Sequence, residues 1–307
     1  MDAVGVKLAS MVNVMKLSLC NEVLGEMPFP EQCALAAGLG YDGIELAPFT
    51  VVDDPREMTA AQIATVRDAA QDAGIAISGL HWLLLSPKGL SITSNDRAVW
   101  QRSVDVMRAN IEICAELGGD VLVHGSPAQR RLPDDEAGAA AARERAIEAF
   151  AAIAGEAEAG NVIYCIEALA APMANFVNTV AEAVEIVEAV GSGHVRTMVD
   201  CCAARAGGDD AVEDLIDHWL PAGMLAPIHV NDQDRRAPGQ GDDQLAPATP
   251  ALNHHEYAGW IAAQPFRYEP DVPHCAAAAA GYLRGLIATL GDGAQRHANT
   301  LARGPYH

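Results

Sequence analysis

Residues 161–200 read NVIYCIEALAAPMANFVNTVAEAVEIVEAVGSGHVRTMVD. Two short apolar runs, 161–167 and 195–200, flank a segment at 178–190 whose Val, Ile and Ala recur at helical spacing. Short runs rich in β-branched residues read as strands, and the longer periodic segment reads as a helix. Gly191 stands where the helical pattern stops, a place where a left-handed cap favours glycine. Strand, helix and strand in that order form a βαβ unit with parallel strands. Both strands end on an acid, Glu167 and Asp200.

The same unit repeats outward in both directions. Further strands are predicted at 15–20, 42–47, 75–81, 120–125, 225–230 and 266–270. Further helices are predicted at 30–39, 59–73, 95–117, 134–158, 210–218, 254–263 and 275–290, several of them closed by Gly40, Gly74 or Gly118. Eight such units predict an α/β fold of the (β/α)8 TIM-barrel class in a single domain. An open doubly wound sheet is the alternative. It calls for a Gly-rich fingerprint after the first strand, and residues 20–25, CNEVLG, are not one. The barrel is placed at 15–291, with a flexible N-terminal extension at 1–14 and a C-terminal tail at 292–307.

Composition narrows the function. With 41 acids against 20 bases, the net charge is −21, and no basic patch suits a nucleic acid or an anionic membrane. No apolar run reaches membrane-spanning length, and no secretory signal is visible. The seven cysteines are odd in number and contain no CxxC pair, which argues against a disulfide framework or a structural zinc site. Reduced thiols and a cytoplasmic location follow. Cys201 and Cys202 draw the eye beside Asp200, but that charge disfavours a reactive thiolate, and packing is the plainer role.

The polar residues cluster at predicted strand ends: Glu45, His81, His124, Glu167, Asp200, His229 and Glu269. In a barrel these ends meet at one mouth, where chemistry is done. Taken singly, a strand-end histidine is often a satisfied core residue, and a strand-end acid often caps the next helix. Taken together, Glu167, Asp200, His229 and Glu269 end four consecutive predicted strands. Three carboxylates and one imidazole suit a hard divalent cation: Mn²⁺ first, with Mg²⁺ or Co²⁺ as alternatives.

This set, with KLSLCNEVL, GYDGIELAPF, GLHWLL, VLVHGSP and FRYEP around it, resembles the xylose-isomerase-like barrels, above all the sugar phosphate isomerase/epimerase group that includes the ketose 3-epimerases. In that group a Glu, an Asp, a His and a second Glu at the ends of the last four strands bind one divalent ion. The resemblance implies Glu167, Asp200, His229 and Glu269 as ligands, with Glu167 and Glu269 also serving as catalytic acid and base. It implies an arginine six residues past the ligand histidine, matched by Arg235 in HVNDQDRRAPG, as a substrate contact. His81, Trp82, His124 and Glu45 are further substrate-binding candidates. Two sugar-contacting positions depart from the group: Ala203 stands where a His is expected, and Met173 where a Glu is expected. Both departures point away from an unmodified ketohexose.

The resemblance thus implies an enzyme of carbohydrate metabolism, a metal-dependent sugar isomerase or epimerase that abstracts a proton next to a carbonyl through a metal-stabilised enediolate. Its substrate is a small sugar or sugar derivative, and it forms a homo-oligomer, a dimer or a tetramer. The alternative is a lyase on the same scaffold, of the C-glycoside-deglycosylating type, eliminating from a 3-oxo sugar with a small partner subunit. A nuclease of the same barrel type is disfavoured by the net charge of −21.

Overall fold

A computed structural model describes residues 15–171, 173–241 and 245–302, with side chains through 290. The eight strands are β1 Lys16–Cys20, β2 Gly43–Leu46, β3 Ala76–His81, β4 Val121–His124, β5 Ile163–Ile166, β6 Val195–Asp200, β7 Leu225–Val230 and β8 Trp260–Ala263. All pair in parallel with their sequence neighbours, and β8 closes on β1 through Leu17↔Ile261 and Ser18↔Ala262. The predicted TIM barrel is the fold.

The helices are α1 Phe29–Leu39, α2 Ala60–Ala73, α3 Arg97–Leu117, α4 Glu136–Ala151, α5 Ala154–Ala159, α6 Val180–Val190, α7 Cys201–Gly207, α8 Val212–Trp219, α9 Leu245–His254 and α10 Val272–Ala302. They surround the barrel and shield its parallel strands, so most strands are apolar on both faces, as buried parallel sheets require. Gly40, Gly74, Gly118 and Gly191 end α1, α2, α3 and α6 in left-handed conformations. The glycine stops in the sequence are therefore real stops. At the other ends, Thr59, Asp96, Asp135 and Thr179 accept hydrogen bonds from free backbone N–H groups of the first turns.

Several expectations need correction. The predicted helix at 254–263 is instead the end of α9 followed by β8, and the predicted strand at 266–270 is a loop. Ala262 and Ala263 look helical by composition, but here they sit with no exposed surface in the closing strand, where the narrow barrel accepts small side chains. Helix α9 runs through both Pro247 and Pro250. Pro247 lies in the first turn of α9, where no intrahelical N–H is needed. The predicted helix at 134–158 breaks at Ala152 and Ile153 into α4 and α5. At the termini, the 1–14 extension lies outside the described residues, and so do 303–307 of the tail. Helix α10 runs on to Ala302, so 292–302 continue the last helix.

One close contact in the wall has a large consequence. A Cβ added at Gly79 would lie 2.1 Å from the Val121 carbonyl oxygen and 2.7 Å from its Cγ2. Residues 79 and 121 are register partners between β3 and β4, so neither backbone can yield without opening the barrel. Gly79→Ala is expected to lose about 3 kcal/mol of stability, the upper end of the overpacking range. Urea denaturation measures it, and an unchanged midpoint would show that the wall yields there.

Candidate active site

The strand ends form the floor of a cavity of about 200 Å³. Glu167 follows β5 directly, Asp200 ends β6, and His229 lies on β7. One ligand atom from each of these three buried residues lies within 4.8 Å of the others. Each is held from behind. Asp200 caps α7, its Oδ1 accepting from the Ala203 N–H at 2.6 Å, while its Oδ2 accepts from Asn231 Nδ2 at 3.2 Å. The Glu167 carbonyl accepts from Arg130 Nη1 at 2.6 Å, and Arg130 is itself buried. The Glu167 carboxylate fills the space that a side chain at 125 would occupy: a Cβ on Gly125 would lie 1.6 Å from its Oε2.

His229 is fixed through both nitrogens. Its Nε2 lies 2.9 Å from Glu45 Oε1 and its Nδ1 lies 3.0 Å from Gln264 Oε1. The Gln264 amide nitrogen donates to Glu22 Oε1 at 2.8 Å, which fixes its oxygen toward the histidine. Glu22 Oε2 in turn lies 2.5 Å from His81 Nε2, and His81 Nδ1 lies 3.5 Å from Glu45 Oε1. Glu22, His81, Glu45, His229 and Gln264 thus form a closed ring of polar contacts at the barrel mouth. Cys20, Glu45 and His81 also bring ligand-type atoms within 4.8 Å. Glu45 and His81 are already committed to His229 and Glu22, so this second trio reads as the layer that holds the first.

Electrostatics fit a cation. Burial and then the Asp200 charge push the Glu167 carboxyl up to about 7. Burial likewise raises Asp200, against the hydrogen bond from Ala203 and the nearby His229. Burial acts to lower His229, but Glu45, Glu167 and Asp200 override it and hold the imidazole up at about 10. Two buried carboxylates that resist ionising together and an imidazole that keeps a proton between acceptors are what a divalent cation would relieve. With Nε2 held by Glu45, an ion would reach His229 at Nδ1, in place of its 3.0 Å contact with Gln264 Oε1. A carboxylate behind a ligand histidine is the usual support in metal sites.

Of the residues expected at the mouth, Glu167, Asp200, His229, His81, Trp82 and Arg235 line the cavity. Three do not. Glu269 lies in the loop after β8 with its side chain half exposed, and its carboxylate pairs with Arg267 at 2.6 Å. The true strand ends at Ala263, so the strand-end position belongs to Gln264, which does line the cavity. His124 points outward into the helical layer, because side chains alternate along a strand and Val123 faces the cavity. There His124 Nδ1 meets the Tyr164 hydroxyl at 2.9 Å, and burial followed by Arg130 pushes its pKa down to about 3. Glu45 is fully buried behind His229 and does not line the cavity.

The sequence reading missed Glu22, Gln264 and the role of Gly125. Only Glu22, a carboxylate just past the first strand, carried a usable signal. The cavity wall is otherwise largely apolar: Leu169, Ala170, Met173, Ala203 and Ala206 face it on one side, Phe266 on another. The Arg235 guanidinium stacks 4.7 Å from the Phe266 ring centroid. Cys202 also lines the cavity, but burial and Asp200 raise its thiol to about 11, and the seven cysteines form no disulfide.

Among known proteins, residues 33–286 match the profile of the xylose isomerase-like TIM barrel family. A D-psicose 3-epimerase of Agrobacterium fabrum is 29% identical over 235 residues, covering 75% of this chain and 76% of its own. A crystal structure of D-psicose 3-epimerase determined in the presence of D-fructose superposes with a TM-score of 0.75 at 23% identity, over 89% of this chain and 99% of that one. The apo 3-keto-D-glucoside 4-epimerase of E. coli superposes with a TM-score of 0.75 at 18% identity, over 88% and 99%. The family match spans most of the chain, and this protein belongs to the xylose isomerase-like TIM barrel family.

Proposed function

We propose that this protein is a divalent-metal-dependent sugar isomerase or epimerase that moves a proton next to a carbonyl. The observation that carries the reading is the buried trio of Glu167, Asp200 and His229 on the floor of a small cavity. The relatives named as ketose 3-epimerases support it.

A divalent cation, Mn²⁺ ahead of Mg²⁺ or Co²⁺, would be held by Glu167, Asp200 and His229. When bound it polarises a substrate carbonyl and makes the adjacent carbon more acidic. The chain's own groups do the rest. Glu167 takes the proton, its carboxylate lying on the cavity floor beside Asp200 and His229. Asn231 and Arg130 keep the acids in place. Trp82 and Arg235 flank the cavity where substrate hydroxyls would lie, and Met173, Ala203 and Ala206 offer an apolar wall. This wall suits a sugar derivative with an apolar portion better than a sugar polar on every side. A cytoplasmic location and a homo-oligomeric state are part of the proposal. Among the described residues, no helix is long and apolar enough to cross a membrane.

Solvent exchange tests the reading. Mn²⁺-loaded protein incubated in D₂O with D-fructose, D-psicose and 3-oxo glucosides is expected to introduce deuterium next to the carbonyl of at least one of them, detected by NMR. Protein that holds Mn²⁺ and exchanges none of them sinks the proposal.

A further inference from the structure

We infer that Gln264 confines proton transfer at this site to one face of the substrate, so that the chemistry favours a shift between adjacent carbons over inversion at one carbon. The inference rests on the proton-transfer reading above and concerns its outcome.

The position that closes the mouth after β8 holds a carboxamide. Its oxygen faces His229 Nδ1 at 3.0 Å, and its nitrogen is committed to Glu22 at 2.8 Å. A carboxamide accepts and donates hydrogen bonds but exchanges no proton near neutrality. Inversion at a carbon needs a base on one face and an acid on the other. Among the described residues lining the cavity, the carboxylates are Glu167 and Asp200, from the adjacent strands β5 and β6. Both Asp200 oxygens are engaged, by Ala203 and Asn231. The remaining cavity imidazole besides His229 is His81, whose two nitrogens face Glu22 and Glu45. Cys202 directs its thiol to the Gln233 carbonyl at 3.6 Å. Glu167 is left as the group able to take a proton and give it back.

The consequence follows by following the atoms. Glu167 removes the proton from the carbon beside the carbonyl, and the C–H electrons become the C=C bond of an enediolate. The hydroxyl proton on that carbon passes to the former carbonyl oxygen. Protonated Glu167 then returns its proton on the same face to the neighbouring carbon, and the first carbon becomes the new carbonyl. The net change is an aldose–ketose isomerisation with no proton gained or lost. Return to the original carbon restores the starting configuration and leaves only isotope exchange.

Gln264 also supplies a neutral oxygen where a carboxylate would add a negative charge toward the cation, so it sets affinity as well as outcome. The test uses the full chain, wild type, Gln264→Glu and Gln264→Ala, with Mn²⁺ followed by electron paramagnetic resonance and D-fructose, D-psicose and their aldose isomers followed by NMR in D₂O. Wild type is expected to incorporate deuterium and form aldose from ketose without a 3-epimer. Gln264→Glu is expected to bind Mn²⁺ about tenfold more tightly and to gain 3-epimer formation by at least about tenfold, and Gln264→Ala to bind Mn²⁺ about tenfold more weakly. A 3-epimer formed by wild type as fast as by Gln264→Glu overturns the single-face inference while leaving proton transfer intact. Unchanged Mn²⁺ affinity in Gln264→Ala removes the amide from the ion and overturns the claim that it sets affinity. Absence of deuterium in wild type and in Gln264→Glu, with Mn²⁺ bound, overturns the proton-transfer reading itself.

Discussion

Replacing Glu167, the proposed base, with Gln is expected to slow solvent proton exchange by about 10³-fold or more at saturating Mn²⁺. Saturating metal separates loss of the base from weaker binding of the ion. The same variant carries a second, independent signature in metal-free protein. Burial and Asp200 lift the Glu167 carboxyl from an ordinary 4.5 to about 7. The fold therefore prefers this group protonated. Its contribution to stability is complete below 4.5 and is lost as the pH rises through about 7. Glutamine never ionises, so chelator-treated Glu167→Gln is expected to melt higher than chelator-treated wild type at about pH 8 and to match it near pH 4. A variant that exchanges protons at the wild-type rate, or melts lower at both pH values, would place the charge elsewhere.

Gly125→Ala is expected to be nearly as damaging, although residue 125 has no side chain to lose. Its added Cβ would lie 1.6 Å from Glu167 Oε2 and 2.8 Å from its Cδ, so the carboxylate must swing away from Asp200 and His229. The backbone at 125 is not left-handed, and alanine is acceptable there in every other respect. Fold and melting temperature should therefore be close to wild type in the metal-free protein. Mn²⁺ affinity is expected to fall by about 10- to 100-fold, and exchange at limiting metal to fall with it. Titration by calorimetry beside a circular dichroism melt separates the two effects. Wild-type affinity would mean that the carboxylate has another place to go.

How much of this was legible beforehand depended on the kind of signal each residue sends. Apolar rhythm and glycine stops survive in any one chain, so seven of the eight strands were visible. Strand β8 was not, because Trp-Ile-Ala-Ala is four residues long and half alanine, and the aromatic run a few residues later looked more like a strand. That one slip carried the predicted strand-end position from residue 264 to Glu269. A glutamine at a strand end sends no charge signal, so nothing drew attention back to it. Glu167, Asp200 and His229 were legible because a charge at the end of an apolar run needs a reason. His124 obeyed the same rule and misled, since strand parity, fixed only by Val123 facing inward, turned it to the helical side. Glu45 and Glu22 work from behind the cavity, a depth that one-dimensional patterning does not encode.

The ring of polar contacts at the mouth bears on how the protein is made. Its members come from 22, 45 and 81 near the start of the chain and from 229 and 264 near the end, and Gln264 meets Glu22 across the β1–β8 seam. A chain emerging from the ribosome has Glu167, Asp200 and His229 well before it has residue 264. Until the last strand docks, the His229 ring lacks its Gln264 partner, and Gln264 is not there to tie it to Glu22. Closure of the barrel at its last strand therefore completes the contacts that hold both His229 and Glu22.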